Sequence, residues 1–151
     1  MSLEKAYLFQ GISKATLECI SELAAEEVHS AGTFLFHAGD AAGYLYLLEA
    51  GRVRLRVGDN GHIAYVVSEP GEAIGWSSMV EHDEYTSSAE CIVPVKILKI
   101  EKNALLRLLQ KDPPSGLTFF QRLSKVIGYR LVNCYKATLS VHGKRDARSY
   151  G

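Results

Sequence analysis

Polar and apolar positions along this chain change their period twice. Over residues 13–27, Leu17, Ile20, Leu23 and Ala24 recur at helical spacing, with Ser13 placed to cap the first turn. Between Val28 and Ile100 short apolar or alternating runs take over, at residues 33–36, 43–48, 52–57, 63–67, 87–92 and 96–100. Turn residues separate them at Ala38-Gly39-Asp40, Gly51, Gly58-Asp59-Asn60-Gly61 and Pro70-Gly71. Asn60-Gly61 between two such runs predicts a hairpin. Many short strands punctuated in this way predict an antiparallel barrel or sandwich. From Lys102 the period is helical again: residues 102–110 predict a short helix stopped by Pro113-Pro114, and a longer helix follows from Ser115 to about Leu139.

In that longer helix Phe120, Ile127 and Cys134 recur every seven residues, with Leu123 and Leu131 on the rungs between. A helix of about 24 residues extends about 36 Å, more than so small a domain needs. Its apolar seam is expected to meet the same seam of a second copy in a homodimer; packing on its own β-core is the alternative. Residues 140–151 read as a polar, modestly basic tail following a single domain at 1–139.

Composition narrows the function. The 151 residues carry 17 basic and 17 acidic side chains, so net charge gives no general attraction to nucleic acid or an anionic membrane. At 47% hydrophobic and 23% charged the chain is expected to be globular rather than disordered. Cys19, Cys91 and Cys134 form no CxxC pair, so neither a disulfide framework nor a zinc ribbon is expected, and the cytoplasm is the expected compartment. No apolar run approaches the ~18 residues that would span a bilayer. His29, His37, His62, His82 and His142 show no metal-binding spacing. Gly75-Trp76-Ser77-Ser78-Met79 lacks the second glycine of a nucleophile elbow, and no nucleophile–base pair is visible. An enzyme is therefore not expected.

The most unusual segment is residues 70–90, PGEAIGWSSMVEHDEYTSSAE. A glycine followed by small residues at the start of a short helix leaves backbone N–H groups free for an anion. A surface loop with turn glycines and a capping serine explains the same residues.

Taken together, several blocks resemble the cyclic nucleotide-binding domain family, the sensor half of regulators such as catabolite activator protein. They are Leu8-Phe9-Gln10-Gly11-Ile12, Phe36-His37-Ala38-Gly39-Asp40, residues 44–54 (YLYLLEAGRVR), Gly71-Glu72-Ala73-Ile74-Gly75, and the long helix after Pro113-Pro114. The resemblance implies a mainly β fold, an eight-stranded antiparallel β-roll of jelly-roll type, with an N-terminal helix and a long C-terminal dimerisation helix. It also implies a phosphate-binding cassette at Gly75, Trp76, Ser77, Ser78, Tyr85, Thr86, Ser87 and Ser88. The pocket wall falls on Leu55, Tyr65, Arg130, Cys134 and Tyr135, and the dimer helix on Phe120, Leu123, Ile127, Leu131 and Cys134.

The cassette departs from the family pattern. Where members that bind cyclic AMP or cyclic GMP carry a Glu for the ribose hydroxyl, this chain has Trp76. Where they carry an Arg for the cyclic phosphate it has Tyr85, and a shift of one residue gives Glu84 or Thr86. A buried phosphodiester without a cation or several donors costs several kcal/mol. Arg52, Arg54 and Arg56 alternate with Val53, Leu55 and Val57, so they are expected on the solvent face. Arg130 is the remaining arginine that could reach the pocket mouth, and the expectation is weighted against its doing so. Small polar residues that read the base in catabolite activator protein correspond to Cys134 and Tyr135, which puts base readout in doubt.

The resemblance thus implies a non-catalytic regulatory sensor, with a small ligand other than cyclic AMP or cyclic GMP, or one binding these more weakly. A ligand-free protein–protein scaffold, with Trp76 and Tyr85 filling the hole, and a cyclic nucleotide regulator with a non-standard cassette both stay open. The expected partners are a second copy and an unidentified protein. Direct DNA binding is not expected, because only about a dozen residues follow the long helix and Lys144, Arg145 and Arg148 are too few to replace a groove-entering element.

Overall fold

In the computed structural model, which describes residues 3–58 and 62–142, one helix precedes eight strands and two helices follow them. The strands are β1 (Ala25–His29), β2 (Phe34–Phe36), β3 (Tyr44–Ala50), β4 (Val53–Val57), β5 (His62–Val67), β6 (Ala73–Ile74), β7 (Ser88–Cys91) and β8 (Val95–Glu101). The helices are α1 (Lys14–Leu23), α2 (Lys102–Lys111) and α3 (Pro113–His142). One sheet runs β1-β8-β3-β6 and the other β2-β7-β4-β5, with antiparallel pairing throughout. This is the mainly β roll with an N-terminal helix and a long C-terminal helix that the family resemblance implies, and it fits the antiparallel barrel or sandwich that the strand spacing predicts.

The apolar run in β3 is continuous because both of its faces are covered. Leu45 and Leu47 join Phe9, Ile20, Leu105, Phe119 and Leu123 in a core between the first sheet and the helices. Tyr46 and Leu48 turn into the roll, where they meet Phe36, Val53, Ile74, Tyr85 and Ile97. In β4 the alternation is clean: Val53 and Leu55 are buried, while Arg54 and Arg56 face outward and bind Glu90 of β7 at 3.1 and 3.4 Å. The arginines lie on the outer face as expected, and an acid across the strands holds them there.

Two element boundaries differ from the expectation. The first helix, expected over residues 13–27, ends at Leu23, and Ala25–His29 pairs with β8 instead. Cross-strand contacts account for the change: Glu26 meets Lys96 at 2.8 Å and Glu27 meets Lys99 at 3.4 Å. Ser13 does cap α1, accepting from the Thr16 N–H at 3.3 Å. The second difference is that Pro113 and Pro114 open α3 rather than merely stopping α2. Proline suits a first turn, whose N–H groups have no partner within the helix. Asp112 accepts from the Ser115 N–H there at 3.4 Å. Gly116 is needed where the two helices cross, since a Cβ would sit 2.8 Å from the Leu109 carbonyl.

β4 and β5 form a hairpin with Val57 opposite His62. Asn60-Gly61, and Lys144, Arg145 and Arg148 of the tail, lie outside the described residues.

Candidate functional site

Gly75 occupies a left-handed conformation (φ 80°) ahead of a single helical turn, Trp76–Met79. A side chain at position 75 would meet Tyr85 at 3.0 Å and the Tyr44 carbonyl at 3.2 Å. The reason is Tyr85 itself. Its ring stacks on Phe36 with centroids 3.7 Å apart, and its hydroxyl donates to the Tyr44 carbonyl at 2.7 Å and accepts from the Tyr44 N–H at 3.0 Å. Burial raises the Tyr85 pKa, so the hydroxyl stays neutral. Tyr85 therefore packs into the core behind the cassette.

The turn at Phe36–Asp40 braces this segment. The Gly39 N–H donates to the Tyr85 carbonyl and the Tyr85 N–H to the Asp40 carbonyl, both at 2.9 Å. The Ala38 N–H donates to the Ser88 hydroxyl at 2.9 Å. Ser78 is fully buried and its hydroxyl donates to the Gly75 carbonyl at 2.8 Å. Ser77, also buried, lies 3.2 Å from the Thr86 hydroxyl.

In front of the cassette lies a cavity of about 300 Å³. Its walls are Leu55, Val57 and Tyr65 from β4 and β5, Trp76, Thr86 and Ser87 from the cassette, and Ile127, Arg130, Leu131 and Cys134 from α3. The predicted residues thus separate into two groups. Leu55, Tyr65, Trp76, Thr86, Ser87, Arg130 and Cys134 come together around one space. Gly75, Ser77, Ser78, Tyr85 and Ser88 are not among the lining residues, and neither is Tyr135, which is half-exposed on α3. Sequence reasoning missed Val57 as a wall, although its alternation with Arg54 and Arg56 put it on the face of Leu55.

Arg130 corrects the expectation about charge. It is 8% exposed, reaches the cavity wall, and donates to the Ala73 carbonyl at 2.6 Å. Its guanidinium lies 4.8 Å from the centre of the Tyr65 ring. Burial lowers its pKa, opposed by Tyr65 and Glu72, but a guanidinium stays charged at neutral pH. Its Nη1 is buried without a hydrogen-bond partner. The cavity therefore has a cation, contributed by the helix and not by the cassette. Helical spacing alone could not foretell this, because it does not say which flank of α3 meets the roll.

Glu72 holds the opposite wall in place. Its carboxylate accepts from the Tyr65 hydroxyl at 2.7 Å and from the Ser68 and Glu69 N–H groups, each at 2.9 Å. Burial and this acid together push the Tyr65 pKa up to about 12. Tyr65 is thus a neutral, fixed platform beneath the guanidinium.

The expected dimer seam is split. Leu123 is buried among Phe9 and Phe119 in the chain's own core, so it has no free face for a second copy. Phe120 and Ile127 are half-buried against the same core. Beyond them Leu131, Val132 and Tyr135 are exposed, as is Cys134. Among the described residues no group of three or more His, Cys, Asp or Glu could hold a metal ion, and no helix is long and apolar enough to cross a membrane.

A family model described as the cyclic nucleotide-binding domain matches residues 26–112. A solved protein of Geobacter metallireducens GS-15, described as cyclic nucleotide-binding, is 25% identical, with a TM-score of 0.76 over 85% of this chain and 95% of that one. A cyclic nucleotide-binding domain from Methylobacillus flagellatus KT is 23% identical (TM-score 0.77, covering 91% and 79%). The sensor domain of the transcriptional regulator DNR from Pseudomonas aeruginosa is 24% identical (TM-score 0.72, covering 82% and 88%). These last two share the fold. No curated protein matches the chain.

Proposed function

Because the chain belongs to the cyclic nucleotide-binding domain family, we propose that it is a regulatory sensor whose central cavity takes a small anionic ligand on Arg130. The observation that carries this reading is the space itself. Tyr85 fills the region behind the cassette, yet about 300 Å³ remains in front of it, and this favours a ligand over a filled scaffold. The ligand is other than cyclic AMP or cyclic GMP, or binds as these do but more weakly. Trp76 offers a ring in place of the carboxylate that would hold a ribose, and the cassette supplies hydroxyls in place of a guanidinium fork. A flat ring with one negative group fits Trp76, Tyr65 and Arg130 better than a ribose cyclic phosphate does.

The output runs through α3. Four of the cavity's residues, Ile127, Arg130, Leu131 and Cys134, belong to that helix, so a ligand that draws on Arg130 changes how α3 sits on the roll. The exposed end of α3 supports a homodimer through Leu131, Val132 and Tyr135. The family is typically regulatory and non-catalytic, and a binding role suits this cavity.

A thermal-shift series with cyclic AMP, cyclic GMP and a panel of small metabolites tests the reading. A ligand at 100 times its Kd stabilises by about 2.7 kcal/mol. The expected result is a larger shift from an anionic ring compound than from either cyclic nucleotide at equal concentration. Silence across the panel would favour a ligand-free scaffold. Saturable micromolar binding of cyclic AMP would favour the second reading, a cyclic nucleotide regulator with a non-standard cassette. The unpartnered Nη1 of Arg130 is the observation that keeps that reading in play.

A further inference from the structure

A second cavity of about 320 Å³ lies on the other flank of α3, between that helix and the N-terminal turn at Tyr7–Phe9. Lys5, Tyr7, Lys125 and Tyr129 form its outer walls, and Tyr65 and Arg130 its inner one. Only Tyr65 and Arg130 are shared with the central cavity. No cassette residue takes part, so this is a different place in the fold.

Three features bear on what it could hold. Its lining carries three cations, Lys5, Lys125 and Arg130, against a single acid, Glu72. That acid is already occupied by the Tyr65 hydroxyl and two backbone N–H groups. Three tyrosines line it: Arg122 and Lys125 lie 5.1 and 5.7 Å from the centre of the Tyr7 ring and Arg130 4.8 Å from that of Tyr65, while Tyr129 is 61% exposed at the rim. At the inner wall, Arg130 is more than nine-tenths buried and its Nη1 has no partner. A cavity of this size, mostly apolar with a few convergent charges, has the make-up of a small-molecule site.

We propose that this groove is a second ligand site for a small aromatic anion, such as a ring bearing a carboxylate or sulfonate. The ring lies against Tyr7 and Tyr129, and the charge falls between Lys125 and Arg130. Because the two cavities share one guanidinium, a ligand that draws Arg130 toward the groove takes it from the central cavity. By reciprocity, each ligand then weakens the other.

The test uses anilinonaphthalene sulfonate, a fluorescent aromatic anion, titrated onto the full chain. As the central cavity also suits an aromatic anion, the groove is read in the Ser87→Trp background, which fills that cavity from the cassette side; saturable binding is expected to persist there, and the lysine variant is compared in the same background. The doubly substituted Lys5→Glu, Lys125→Glu chain, altered only at exposed side chains, is expected to bind at least about tenfold more weakly, the factor that 1.4 kcal/mol produces. Amide shifts on saturation should cluster at Tyr7, Lys125 and Tyr129. Loss of binding in Ser87→Trp, or undiminished binding by the lysine variant in that background, would overturn the proposal. So would shifts confined to Thr86 and Ser87 or to the exposed end of α3, or no binding at all. Shifts confined to Thr86 and Ser87 would sink the groove and support the central cavity, whereas no binding at all would count against both sites.

Discussion

The Tyr85 hydroxyl closes both hydrogen-bonding groups of the Tyr44 backbone, accepting from its N–H at 3.0 Å and donating to its carbonyl at 2.7 Å. It therefore ties the far end of the cassette to the start of β3, directly beneath Gly75. Tyr85, which the resemblance places where cyclic nucleotide binders carry an Arg, belongs to the packed interior, and the cation that lines the cavity is Arg130 of α3.

Tyr85→Phe keeps the stacked ring and removes the hydroxyl, taking the part-buried Tyr44 N–H and carbonyl from their shared partner. The expected loss is about 1 kcal/mol of stability, read as a lower denaturant midpoint at unchanged slope. Tyr85→Arg is expected to destabilise further without gaining cyclic AMP affinity, because the side chain points behind the cassette into an aromatic core. Tight cyclic AMP binding by a stable Tyr85→Arg chain would show that the pocket is built otherwise.

Much of this fold was legible because some strands alternate cleanly and turn residues separate them. Val53 and Leu55 against Arg54 and Arg56 is such a pattern, and so are the turn glycines between strands. The first strand was hidden because Ala25–His29 continues a helical spacing, and only its pairing with β8 ends the helix. At two residues, β6 is too short to show any period. The site was legible as a neighbourhood and not as an arrangement. Sequence order put Trp76, Thr86 and Ser87 together, but whether Tyr85 faced the cavity depended on the Phe36 ring that stacks on it. The seven-residue repeat in α3 was visible, whereas the claim of the chain's own core on Leu123 was not.

Arg130→Met keeps the bulk of the side chain and removes its charge. The Ala73 carbonyl loses a partner, for an expected cost of about 1 kcal/mol. The larger effect is on ligands: every anionic compound that raises the melting temperature of the wild type should lose most of its effect, while neutral ones keep theirs. A thermal-shift comparison at matched concentrations checks this, and equal shifts in both proteins would remove Arg130 from the site.

The exposed end of α3 makes an oligomeric prediction. Wild-type chain is expected to be a dimer by light scattering, and Leu131→Glu or Val132→Glu a monomer, since a charge placed in a contact that excludes water goes unpaired. Leu123→Glu should instead unfold the chain, because Leu123 is 1% exposed within its own core. Measuring mass and circular dichroism together separates the two effects.

Asp112 makes the junction between α2 and α3 sensitive to acid. Its carboxylate accepts from the Ser13 hydroxyl at 2.6 Å, the Thr16 hydroxyl at 2.7 Å and the Ser115 N–H at 3.4 Å. Bonds from Ser115, Ser13 and Thr16 hold its pKa well below the ordinary 3.8. A carboxylate with a depressed folded pKa contributes stability that is present above its unfolded pKa and is lost as pH falls through the folded one. The contribution is therefore complete at neutral pH and declines below the ordinary aspartate value. Asp112→Asn removes the charged acceptor, so the variant is expected to be less stable than wild type at pH 7, with the two denaturant midpoints drawing together as pH falls toward 2. Parallel midpoint curves over that interval would mean that Asp112 carries no such linkage and that the junction is held by its other contacts, among them the bond from the Ser13 N–H to the Ser115 hydroxyl at 3.0 Å.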